Sequence, residues 1–360
     1  MNYRLLYALA LPALLVLASC GGGSSNNLTF TSVVSYGDSL SDLGTYQVGT
    51  VAAAGGGKFT VNSPTAKVWP ELVAAQYGLP APCAAQTGLL SIIPGVAAVP
   101  VQEVSACRNY AQGSSRITNP AGPRSVAIQQ GVLAATGSQE AAIAAAGLGL
   151  MAVPVVNQMA SHLSRVGSYS GTELVTVLAG PNDVFMQLNG VASAAAGDAG
   201  AGMTQAGNEL VAAVKTQLLA KGAKYVVVVN VPDMTQTPFL APADTATKGI
   251  VSQLISTFNS IASEALSGQA GVLLVDFNTQ GRDQYANPAK YGVLNVTVPA
   301  CSTTSPANPL AGSSLTCTAA SLIAGDTSSH LFADDVHPTP LGHQLLANFI
   351  MKSLTAAGWL

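Results

Sequence analysis

One of the four histidines in this 360-residue chain is set apart by its neighbours. His337 follows Asp334 by three residues in Ala333-Asp334-Asp335-Val336-His337-Pro338-Thr339-Pro340. That spacing lets a single turn bring the carboxylate to the imidazole. A serine hydroxyl becomes a nucleophile when a base takes its proton. The base in turn needs a carboxylate to fix its tautomer and stabilise the imidazolium. Asp334 and His337 would supply both from one loop. The matching serine is Ser39, in Val33-Val34-Ser35-Tyr36-Gly37-Asp38-Ser39-Leu40-Ser41-Asp42. There a β-branched run over 29–36 breaks at Gly37 into Asp38-Ser39, a strand signal followed by turn residues. A serine on the turn that ends a buried strand lies at the sheet edge where open α/β sheets take their ligands. The Gly-x-Ser-x-Gly pattern is absent. Taken alone, this turn reads as a strand-turn-helix whose Ser39 caps the next helix.

The elements needed to hold these residues follow from the hydrophobic pattern. Residues 173–179 and 224–232 are continuous apolar runs bounded by polar residues, as in central parallel strands covered on both faces. Residues 272–277 read as a further strand ending at Asp276. Helices are expected over 66–77, with Pro70 in the first turn and Gly78 at the end, and over 129–150, 155–165, 204–219, 250–266 and 340–356. Residues 44–65 are Gly-rich and loop-like. Residues 79–104 are apolar but aperiodic and broken by Pro82, Pro94, Gly95 and Pro100, which suits a lid insertion or a long pinned loop. Alternating strands and helices imply an α/β three-layer sandwich with a mostly parallel central sheet.

Charged residues make up 9% of the chain and the net charge is −3. Such a surface has nothing to attract a polyanion, so a nucleic-acid partner is excluded on this reading. The N-terminus carries Arg4 and then an apolar stretch over 5–17, too short to span a bilayer. It ends in Leu17-Ala18-Ser19-Cys20 and runs into Gly21-Gly22-Gly23-Ser24-Ser25-Asn26-Asn27. This resembles the lipobox of bacterial lipoproteins. The resemblance implies a signal peptide over 1–20, lipidation of Cys20, a flexible tether over 21–28 and a catalytic domain over 29–360, anchored at the outer membrane. Four cysteines are then left, which in an exported chain suggest two disulfides with three possible pairings. The local pairing, Cys83–Cys107 and Cys301–Cys317, is favoured because both loops are rich in Gly, Pro, Ser and Thr. The spacings match no zinc pattern, and neither a metal nor a cofactor is expected.

Four stretches together resemble the sequence blocks of the GDSL, or SGNH, family of serine esterases and lipases, and they occur in that family's order. They are Tyr36-Gly37-Asp38-Ser39-Leu40-Ser41-Asp42, Asn109-Tyr110-Ala111-Gln112-Gly113, Gly180-Pro181-Asn182-Asp183 and Asp334-Asp335-Val336-His337-Pro338. The resemblance spans nearly all of residues 33–360. It implies an SGNH-hydrolase fold, Ser39 as nucleophile, His337 as base and then acid, and Asp334 as its orienting carboxylate. It implies an oxyanion hole made by the N–H groups of Ser39 and Gly113 and the side-chain amide of Asn182. The chain departs from the family where Ser114 and Ser115 follow Gly113, since a second glycine is common there. Asp38 and Asp42 are expected to bond backbone around the turn, and His343 and Trp69 to be packed. The implied function is ester hydrolysis through an acyl-enzyme on lipid acyl or short-chain esters. An O-acetyl polysaccharide esterase, an acyltransferase on the same triad and a non-catalytic binding lipoprotein are the alternatives.

Overall fold

The computed structural model describes residues 28–90, 98–192 and 196–360. The expected signal peptide, its Cys20 and residues 21–27 of the tether lie outside the described residues. In chain order the main elements are β1 (Val33–Gly37), α1 (Gly49–Ala53), α2 (Trp69–Gln76), β2 (Gln86–Leu89), β3 (Val99–Glu103), α3 (Val126–Thr136), α4 (Gln139–Ala146) and α5 (Val155–Val166). They continue as β4 (Leu174–Leu178), α6 (Pro181–Ala192), α7 (Ala196–Ala213), β5 (Tyr225–Val229), α8 (Thr245–Leu266), β6 (Val272–Val275), α9 (Phe277–Ala286) and α10 (Pro340–Ala356).

The central sheet is parallel, in the order β1-β4-β5-β6. Side chains alternate across a strand, so a run that is apolar at every position serves two cores at once. Val175 and Val177 of β4 and Val226 and Val228 of β5 face one side, against Val155 and Met159 of α5, Met203 and Leu210 of α7, and Ile255 and Phe258 of α8. Leu174, Leu178, Val227 and Val229 face the other, against Trp69 and Val73 of α2 and Leu346, Ile350 and Leu354 of α10. Helices therefore cover both faces, as the alternation of elements implied. The free edge of β1 is paired as well. Tyr110 donates its N–H to the Ser35 carbonyl at 2.8 Å and Gln112 to that of Gly37 at 3.2 Å, which lays residues 108–112 beside the strand that leads to Ser39.

Several local expectations are corrected. The helix expected over 129–150 is two, because Gly137 takes φ +66° and Ser138 starts α4 by accepting the Ala141 N–H. The helix expected over 204–219 begins at Ala196 and gives way to a π-helical turn over Val214–Leu218. The helix expected over 250–266 starts earlier, at Thr245, where Asp244 accepts the Thr247 N–H. The stretch over 79–104 contains β2 and β3, an antiparallel pair, and residues 91–97 between them lie outside the described residues. Helices α6 and α9 were not anticipated; α9 starts directly where β6 ends, with Asp276 as its cap. Both disulfides form in the expected local pairing. Among the described residues, no helix is long and apolar enough to cross a membrane.

Candidate active site

Ser39 stands two residues beyond the last residue of β1, at a turn that only glycine can open. Gly37 takes φ +149°, and a Cβ there would fall on the Leu178 carbonyl oxygen of the neighbouring strand. Asp38 is buried beneath the turn, where its Oδ1 accepts the Leu40 N–H at 3.0 Å. Burial pushes its carboxyl up to about 7, against the hydrogen bond from Leu40 and the influence of His337.

The second part of the site comes from the loop that leads into α10. Thr339 caps that helix by accepting the Gly342 N–H at 3.3 Å, and Pro340 occupies its first turn. The anchored helix holds the preceding loop against the nucleophile turn. His337 Nε2 lies 2.9 Å from Ser39 Oγ, and its Nδ1 lies 2.8 Å from both Asp334 Oδ1 and Oδ2. A carboxylate only accepts, so Nδ1 carries the hydrogen and Nε2 presents its lone pair to the Ser39 hydroxyl. Asp334 also accepts the backbone N–H groups of His337 at 2.8 Å, Val336 at 3.0 Å and Ser314 at 2.8 Å. Burial alone would raise this carboxyl. His337 and the hydrogen bonds from His337 and Ser314 outweigh that and hold it well below the ordinary carboxylate range. Asp335, by contrast, is exposed and uses its carbonyl to accept the Phe239 N–H. The geometry thus selects Asp334 as the partner of His337.

Asn182 is buried in the first turn of α6, and its Nδ2 donates to the Ser115 carbonyl at 2.9 Å. An amide nitrogen carries two hydrogens, so one is left for a substrate oxygen. The neighbouring Asp183 fastens this helix start by accepting from Arg116 Nε at 2.9 Å and from the Ile117 N–H at 3.1 Å.

The expectation for Gly113 needs correction. Its N–H donates to Asp42 Oδ2 at 2.9 Å, so the single hydrogen it carries is already engaged. Its carbonyl accepts from Tyr46 Oη at 3.0 Å, and a Cβ at this position would run into the Phe59 ring. Glycine is required here by packing. The residue with the unusual backbone is Ser114, at φ +71°, a conformation uncommon outside glycine. Among the described residues, no hydrogen bond of the Ser114 N–H occurs. The departure from a second glycine therefore leaves a serine in a glycine-like conformation, and a free N–H comes from Ser114 instead of Gly113. Asp42 drives this arrangement, since its carboxylate also gathers the N–H groups of Gly44 and Thr45. Burial raises the Asp42 carboxyl to about 6, against these hydrogen bonds.

Trp69 and His343, expected to be packed, and the other two histidines are structural. Trp69 is fully buried with its Nε1 on Ser41 Oγ, and His343 is buried on α10 near the Phe59 carbonyl. His162 is buried beside the Tyr110 hydroxyl, and His330 contacts the Val298 carbonyl. Two contributors were not evident in the sequence. The Phe59 ring lies 4.9 Å from the His337 ring, and the amide of Gln158 reaches Gly37. Phe59 lies in the Gly-rich stretch read as loop, and Gln158 in a helix read only for its apolar face. Among the described residues, no group of three or more His, Cys, Asp or Glu side chains is placed to hold a metal ion.

A hydrogen-bonded Ser-His-Asp line at the C-terminal edge of a parallel sheet has the geometry that activates a serine for nucleophilic attack. A family model described as GDSL-like lipase/acylhydrolase matches residues 33–350, and the chain belongs to that family of carboxylic ester hydrolases. Two solved structures are similar to it. One, assigned as a GDSL-like lipase of Parabacteroides merdae, is 11% identical with a TM-score of 0.40, over 92% of this chain and 98% of the other. The second, an extracellular lipase of Streptomyces rimosus, is 16% identical with a TM-score of 0.44, over 90% of this chain and 99% of the other. No curated protein matches the chain.

Proposed function

We propose that this ester hydrolase acts through an acyl-enzyme on Ser39 and that its substrates carry apolar chains. The observation that carries the mechanism is the 2.9 Å approach of His337 Nε2 to Ser39 Oγ, with Asp334 behind it. Ser39 Oγ attacks the ester carbonyl carbon as its proton passes to Nε2. The carbonyl oxygen becomes an oxyanion, held by the Asn182 amide and the N–H groups of Ser39 and Ser114. Collapse breaks the C–O bond to the alcohol, which leaves with the proton from Nε2. Water then enters, loses a proton to the same nitrogen and attacks the acyl carbon, and Ser39 departs with the proton returned.

An apolar chain is supported by an aromatic pair beside the donors. Phe185 lies one turn after Asn182 on α6, and its ring meets Phe239 edge-on at 5.5 Å. Phe239 is 47% exposed and is tied through its N–H to the Asp335 carbonyl, in the same loop as His337. Export and lipid anchoring through Cys20 belong to the same proposal, supported by the lipobox sequence and by two disulfides, which persist in oxidising compartments. Incorporation of labelled palmitate into the wild type and not into Cys20→Ser tests the anchor.

Hydrolysis of p-nitrophenyl esters from acetyl to palmitoyl, by wild type and Ser39→Ala in parallel, tests the substrate class. Activity rising with chain length and absent from the variant is expected. Activity confined to the acetyl ester redirects the assignment to acetylated glycans. Equal rates from both proteins remove the enzymatic role of Ser39.

A further inference from the structure

Gln158 on α5 is 1% exposed and carries no charge, yet its side-chain hydrogen bonds reach both turns that build the site. Its Oε1 accepts the Gly37 N–H at 2.9 Å, and its Nε2 donates to the Gly37 carbonyl at 2.8 Å. The amide thus grips both polar groups of the residue two positions before Ser39. Nε2 also lies 3.1 Å from Ser115 Oγ and 2.9 Å from the Val153 carbonyl, which share its second hydrogen. The Ser115 hydroxyl gives its own hydrogen to that Val153 carbonyl at 2.7 Å, so towards Gln158 it accepts. These contacts admit only one orientation of the amide, because the Gly37 N–H needs an oxygen and the Gly37 carbonyl a donor. On its other side Ser115 offers its carbonyl to the Asn182 amide at 2.9 Å. A continuous line of hydrogen bonds therefore runs from Gly37 through Gln158 and Ser115 to Asn182.

We infer that Gln158 is a positioning residue that holds the nucleophile turn and the oxyanion-hole turn at one fixed separation. This rests on the reading of Ser39 as nucleophile and Asn182 as oxyanion donor. Acyl transfer requires the attacking oxygen and the oxyanion donors to be correct together, because the same carbonyl carbon and oxygen bridge them in the transition state. The Gln112 N–H on the Gly37 carbonyl and the Gly113 N–H on Asp42 join the two turns to each other, and Gln158 ties both of them to α5. A buried side chain with all its donors and acceptors used has one low-energy placement, and so do the groups it holds. The apolar residues of α5 fix the helix on the sheet, and the single amide converts that packing into register at the site.

The test uses two near-isosteric variants, with Ser39→Ala alongside. Gln158→Met removes every bond and keeps the volume. Gln158→Glu keeps the acceptor for the Gly37 N–H and, when ionised, loses the donor. With a p-nitrophenyl ester, Gln158→Met is expected to lower kcat about 10- to 100-fold, the scale on which small misplacements act, with KM within about threefold of wild type. Gln158→Glu is expected between the two. Both are assayed well below their measured melting temperatures with native circular dichroism, and labelling of Ser39 by a fluorophosphonate should slow in parallel with kcat. A folded Gln158→Met with wild-type kcat, or a loss confined to KM, overturns the inference. If neither variant folds, Ser115→Ala, which deletes only the Oγ arm, should lower kcat about threefold, and an unchanged kcat overturns the inference instead. Full activity in Ser39→Ala would overturn the nucleophile reading separately, whatever the Gln158 variants do.

Discussion

Ser314 gives its backbone N–H to Asp334 Oδ2 at 2.8 Å, so the carboxylate that orients His337 is held from a loop twenty residues upstream. That loop has no long helix or strand of its own. It is closed by Cys301–Cys317, and the Cys301 N–H bonds the Ala333 carbonyl one residue before Asp334. The disulfide thus braces Asp334 from both directions.

Replacing both cysteines, Cys301→Ser with Cys317→Ser, should lower stability by about 2–4 kcal/mol. In the cold, where the variant is folded, kcat should still fall about 3- to 10-fold as Asp334 loses its fixed donor. Thermal melts and kcat at low temperature check the two effects separately. A variant with a lower Tm and unchanged kcat would confine the disulfide to stability.

Asp334→Asn should lower kcat by about 10⁴-fold while leaving the fold intact. The amide can donate to Nδ1, and that places the ring hydrogen on Nε2, where it faces Ser39 as a donor and takes no proton. Asp335→Asn, in an exposed residue that uses only its carbonyl here, should stay within about twofold of wild type. A reversed ranking of the two would reassign the carboxylate.

Asn182→Ala should cost about 10² to 10³ in kcat, the range for one oxyanion donor. Ser114→Gly should keep kcat and raise stability by about 1 kcal/mol, because glycine adopts φ +71° without strain and the N–H is unchanged. Gly113→Ala should destabilise strongly, since its Cβ meets the Phe59 ring. Steady-state kinetics and urea unfolding of the three variants separate donor loss from packing.

Asp38 ties stability to pH. Its carboxyl titrates near 7 in the folded protein, against 3.8 for the free group. Between those values the native state holds a proton that the unfolded chain releases. The contribution is therefore fully present below about pH 4 and is lost as pH rises towards 7. Asp42, raised to about 6, acts in the same sense over a narrower window. Urea unfolding from pH 4 to 8 should show wild type losing on the order of 3 kcal/mol relative to Asp38→Asn. Parallel curves for the two proteins would contradict the buried, protonated carboxyl.

Much of this was legible in the sequence because it depends on local chemistry. Strands β4 and β5 announce themselves by apolar residues at every position, and α10 matches its expected bounds because Pro340 and the capping Thr339 mark its start. The Asp334–His337 contact follows from a three-residue spacing, and Ser39 from a strand that breaks at Gly37. What was hidden depends on long-range partners. Nothing near Gly113 indicates that Asp42, far back in the chain, takes its N–H. Nothing near Gln158 indicates that a helix amide is spent on Gly37. The β2–β3 pair was missed because its strands carry no alternating pattern, and Gly137 was read through because the alanines around it favour helix.

The most direct measurement is the mass of the intact protein, followed by peptide mapping, after treatment with an alkyl fluorophosphonate. One equivalent is expected on the peptide carrying Ser39. Ser39→Ala should take up none, and Asp334→Asn should label far more slowly. Labelling at another residue, or no labelling of a folded and active wild type, would contradict a Ser39 acyl-enzyme.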